Sequence, residues 1–169
     1  MRHPFAMSSR LSAHVRPAQS GFARVLVAGT STLLAAPALA GLVQSTYIGP
    51  TGGLWSHSAN WSPAVVPSNA GGVGYDALVN GTGTSVSVIV NMQVALSGLT
   101  VTPGDQVTVS NGQYLALYGS VVQNDGVIGL ASAGGGTEFR VGSAEVLLTG
   151  GGTLALSDNP NNYVRYAFG

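Results

Sequence analysis

The sequence predicts an all-β chain wound as a short β-solenoid, and three observations carry that prediction. From Val86 to Leu156 the chain divides into short apolar segments rich in Val and Leu, each closed by Gly, Asn, Asp or Ser, which is how short strands joined by tight turns are written. Most of these segments start six to eight residues after the one before, as in a chain that turns a corner after each strand. Charged residues make up only 7% of the chain while apolar residues make up 45%, far from the roughly 25% charge of an ordinary globular protein. An antiparallel β-sandwich is the alternative that the same strands permit. Continuous apolar runs such as Val88-Ile89-Val90 and Val146-Leu147-Leu148 favour strands buried in a stack over half-exposed hairpins.

Residues 1–40 read as a secretory signal peptide. Arg2, Arg10, Arg16 and Arg24 precede an uncharged stretch, 25–40, that ends in Ala38-Leu39-Ala40. A basic beginning, an apolar middle and an A-x-A end predict export with cleavage after Ala40. The chain from Gly41 then holds six carboxylates against Arg140 and Arg165, a formal charge of −4. Two arginines on an acidic chain cannot neutralise a track of phosphates, so no nucleic-acid partner is expected. No membrane insertion of the mature chain is expected either. With no cysteine anywhere, disulfide frameworks and thiolate chemistry are excluded.

Residues 41–79 form a lead-in of different texture. It contains both tryptophans, Trp55 and Trp61, around the turn-like 56–60, followed by Pro63 and Pro67. Large aromatics are first of all buried area, and terminal repeats of a solenoid need a cap over their open apolar end. The reading is an N-terminal aromatic cap. The competing one is a carbohydrate-stacking platform of Trp55, Trp61 and Tyr75.

Trp55, Asn60-Trp61-Ser62, Val66-Pro67 and Tyr75-Asp76-Ala77 in series, with Asn124-Asp125-Gly126-Val127-Ile128 and Gly150-Gly151-Gly152-Thr153-Leu154 further on, resemble the bacterial autotransporter-associated β-strand repeat proteins. The likeness spans about residues 49–157. It implies a right-handed parallel β-helix, an extracellular or outer-surface location, and no catalytic residues. The barrel or sorting anchor of that family has no counterpart up to Gly169, which suits the N-terminal portion of a longer protein.

Residues 80–169 are then the solenoid itself. At about 20–25 residues per coil, residues 80–157 make about three to four coils, near the minimum for a stable stack. Residues 71–79, GGVGYDALV, match the calcium nonapeptide pattern, with Asp76 as the oxygen ligand. The nine residues that follow put Ser85 where the next Asp belongs, so the second ligating turn that such arrays need is missing. Catalysis finds one histidine after Ala40, His57, and no lysine, which removes the common zinc and Schiff-base mechanisms. Glu138 and Glu145 are the one close carboxylate pair of the kind a glycosidase uses, and Arg140 beside Glu138 reads more simply as an ion-pair partner. The expectation is a non-enzymatic, exported structural or adhesive module that meets extracellular matrix, polysaccharide or a neighbouring cell surface. The alternative is a secreted carbohydrate-binding or polysaccharide-processing protein.

Overall fold

The computed structural model describes residues 41–167; the signal peptide expected over 1–40 lies outside them. Three strands make each coil. The first coil holds β1 (Leu42–Tyr47) and β2 (Gly53–Leu54), then a single 3-10 turn, Ser58–Asn60, and β3 (Trp61–Ser62). The second holds β4 (Gly74–Val79), β5 (Ser87–Val90) and β6 (Val94–Leu96), and the third β7 (Gly98–Val101), β8 (Gln106–Ser110) and β9 (Tyr114–Leu117). The fourth is β10 (Val121–Asn124), β11 (Val127–Ala131) and β12 (Thr137–Val141), and the last is β13 (Leu147–Thr149), β14 (Thr153–Leu156) and β15 (Asn162–Tyr166).

The strands stack into three sheets, ordered β13-β10-β7-β4-β1-β3, β14-β11-β8-β5-β2 and β15-β12-β9-β6. Every pairing between coils is parallel, and only β1 with β3 runs antiparallel. With its short, irregular first coil acting as a cap, the stack is a parallel β-solenoid of about four turns, and the sandwich alternative falls with it. The repeat length varies: Val88 pairs with Val107, nineteen residues on, and Leu130 with Leu156, twenty-six on. Strands keep phase while corners absorb the difference.

Register turns sequence alternation into columns. Val88, Val107, Ile128 and Leu154 form one inward column and Val94, Leu115, Phe139 and Val164 another. The members from the inner coils are fully buried. Segment 41–79 supplies coil as well as cap: β1 and β4 pair from Leu42↔Gly74 to Thr46↔Leu78, so the stack begins before residue 80. At the first corner the Asp105 carboxylate is buried and accepts hydrogen bonds from the Gly81 and Val86 amides and the Thr102 hydroxyl, pinning one coil's turn to the next.

Close stacking at corners dictates glycine at particular positions. A Cβ on Gly119 would stand 1.7 Å from the Ser97 carbonyl oxygen, so even alanine must push two coils apart. Gly119→Ala should therefore destabilise the fold by about 3 kcal/mol, the upper end of ordinary overpacking. Gly151, where a Cβ would meet nothing within 4 Å, is the control, and Gly151→Ala should leave thermal unfolding nearly unchanged.

Candidate functional site

Trp55 and Trp61 are both buried, at 0% and 1% exposure. Trp55 continues the β2–β5 pairing, its amide bonding the Ile89 carbonyl. Its indole lies 4.5 Å from that of Trp61, centroid to centroid, and Tyr47 meets Trp61 edge-on at 5.3 Å. Each buried indole N–H is satisfied by a backbone carbonyl, Trp55 to Pro67 and Trp61 to Trp55, as buried polar groups require. This aromatic cluster closes the first coil. Tyr75 is partly buried and packs against the same core. Neither indole offers a face to solvent, so the geometry favours the cap over a sugar platform built from Trp55, Trp61 and Tyr75.

Asp76 stands outward on β4 beside Gly98, whose missing side chain leaves room for the carboxylate. It has no hydrogen-bond partner among the described residues, and partial burial pushes its pKa above the ordinary value. No three His, Cys, Asp or Glu side chains among the described residues lie close enough to hold a metal ion. Asp105 is committed to its corner, and Asp125 accepts from the Gln123 amide and the Gly151 N–H. Glu145 sits in the turn before β13, off the strands that carry Glu138.

The chemistry-bearing side chains converge elsewhere, on the outer face of the sheet formed by β9, β12 and β15. Inward positions there are Leu115, Phe139 and Val164, so their neighbours point outward. Register aligns Tyr114, Glu138 and Tyr163 in one outward column and Ala116, Arg140 and Arg165 in the next. The Glu138 carboxylate receives Arg140 Nε at 2.5 Å and the fork of Arg165, Nε at 2.6 Å and Nη2 at 2.5 Å. Exposure of the three side chains falls from 49% for Arg165 to 23% for Arg140 and 9% for Glu138. The Arg140 guanidinium lies 3.9 Å from the Tyr114 ring centroid and that of Arg165 lies 5.7 Å from Tyr163, within cation–π range. Tyr118, just past β9, lies against Gly142, where a Cβ would collide with its ring.

The expected Glu138–Arg140 pair is thus one side of a triad. Arg165 and the tyrosines escape a reading by neighbours, because they join the cluster across coils, at offsets of 24 and 25 residues from 114 to 138 to 163. Hydrogen bonding from Arg140, helped by Arg165, holds the Glu138 carboxyl below its ordinary pKa against the opposing effect of burial.

Comparison of the chain with protein-family models, with curated proteins and with solved structures finds no match.

Trp61→Ala removes a buried ring from the cap and should cost about 3–5 kcal/mol, read as a steep fall in thermal stability or failure to accumulate. Glu138→Gln should cost about 1–2 kcal/mol, less than a fully buried ion pair because Arg165 is half exposed. A carboxylate whose folded pKa is depressed stabilises fully above its unfolded value, about 4.3, and that stability is lost as pH falls through the lower folded value. The thermal stability of the wild type should therefore fall more than that of Glu138→Gln as pH drops below about 4.3.

Proposed function

We propose that the protein is an exported structural or adhesive β-solenoid module of the extracellular space or outer cell surface, and that it acts by contact rather than catalysis. The observation that carries the reading is the outward ladder of Tyr114, Glu138, Tyr163, Arg140 and Arg165 on one sheet face. Aromatic and arginine side chains give large contact area and directed hydrogen bonds at low entropic cost, which suits a docking surface. The carboxylates support the non-catalytic side of the reading. Glu138 is neutralised by two arginines, and Asp105 and Asp125 are spent on turns. A general acid and base would need a pair poised around a cleft, whereas the depressions beside Asn69 and beside Asp76 are open to solvent. The signal-like segment before Gly41 and the neutral, Ser- and Thr-rich faces support export.

Fractionation of cells that express the full chain tests the proposal. The protein should be recovered outside the cytoplasm with Gly41 as its N-terminal residue by mass spectrometry, and purified protein should bind back to those cells. Retention inside with residues 1–40 intact would refute export, and failure to bind back would refute adhesion.

A further inference from the structure

We infer that the outer face of the β9–β12–β15 sheet is a binding site for an acidic polysaccharide, the arginines meeting its carboxylate or sulfate groups and the tyrosines its sugar rings. The inference rests on the adhesive reading and names its ligand class. Arg140 and Arg165 are the only lysine or arginine residues after Arg24, and the fold sets them side by side in register. Together with Glu138 they carry a charge of +1 on a chain that is otherwise acidic, so this is the face that draws an anionic polymer. That single positive site is too small for a nucleic-acid backbone, which needs many neutralised phosphates.

The donors are arranged for a further partner. A guanidinium carries five N–H groups. Arg140 commits only Nε to Glu138, and Arg165 commits Nε and one N–H of Nη2. The remaining donors are held in a fixed orientation by the carboxylate beneath them and by the Tyr114 ring, which suits bidentate capture of a carboxylate or sulfate. Tyr118 and Tyr163 flank the pair, each about two-fifths exposed. Neighbouring coils lie about 4.8 Å apart, so a linear polymer running along the stack meets ring, ion pair and ring in succession. A neutral glycan leaves the guanidinium donors to water, and the rings alone do not retain it.

The test uses the exported protein in affinity electrophoresis with polygalacturonate, heparin and dextran as probes. Retention by polygalacturonate, heparin or both, weakened by salt, and none by dextran, is the expected result. The two anionic arms tell carboxylate from sulfate. Arg165→Gln and Tyr163→Ala should each weaken that retention by about tenfold, while Thr108→Ala, on the sheet of β8, should not. Melting curves are recorded for each variant, and Tyr118→Ala serves as a second ring variant should Arg165→Gln fold poorly. Equal retention by dextran, no retention by either anionic probe, or wild-type retention in folded Arg165→Gln, Tyr163→Ala and Tyr118→Ala would overturn the inference. Loss of anionic binding with cell binding intact would remove this site and leave the adhesive reading standing. Anionic binding at this face without cell binding would do the reverse.

Discussion

In-phase stacking of parallel strands is the constraint on which the rest of this protein depends. Each strand repeats the register of the one a coil earlier, so a residue position becomes a column with a step of about 4.8 Å. Inward columns are then mostly apolar, filled by Val, Leu and Ile, with Ser45 and Asn124 as buried polar members in register with Ala77 and Val101. Outward columns carry the opposite demand. Identical charges repeated at that step would repel along the whole stack, which accounts for faces made of Thr, Ser, Gln and Ala and for a chain only 7% charged. The unusual composition is a consequence of the register rather than a separate feature.

The Arg140–Arg165 neighbours break that rule, and Glu138 is what permits them. Two guanidinium groups one coil apart on an apolar platform would repel each other. A carboxylate placed one column over, between Tyr114 and Tyr163, bonds to both. Its cost is desolvation, visible in the burial that works against its ionised form. Such a triad adds little net stability when compared with an apolar replacement. What it does provide is orientation: two charged forks held at fixed positions on an outer face. An arrangement that adds so little net stability and is mounted on an outer face is more readily understood through what it meets than through what it holds together.

The two ends of the described stack differ for equally physical reasons. At the first coil, β3 pairs antiparallel with β1 and closes one sheet edge, while Trp55 and Trp61 fill the core's opening. Ser68 and Asn69 bond to the backbone of Ala95 and shield β6. In the last coil, Leu148, Leu156 and Val164 continue inward columns yet are about half exposed. The apolar pattern is thus the same at both ends, and only the irregular, Trp- and Pro-bearing lead-in converts it into a sealed one.

The coils were legible because strand alternation and Gly-closed turns are local signals. VSVIV, TLAL and EFRV announce β5, β14 and β12 by themselves. β1 and β4 were harder to read as coil, since their partners lie 32 residues apart across the aromatic lead-in, outside the repeat length of the rest. The cap was legible in Trp55 and Trp61 from size alone. The outward face was not. Tyr114, Glu138 and Tyr163 have nothing in common along the chain, and corner lengths that vary between coils hide the period that unites them. Once register is known, position 138 falls between two rings and beside two guanidinium groups. Binding chemistry on a solenoid is therefore a property of columns, and a chain that looks poor in functional residues when read along its length can bring both its remaining arginines, a carboxylate and two tyrosines onto one face when read across its coils.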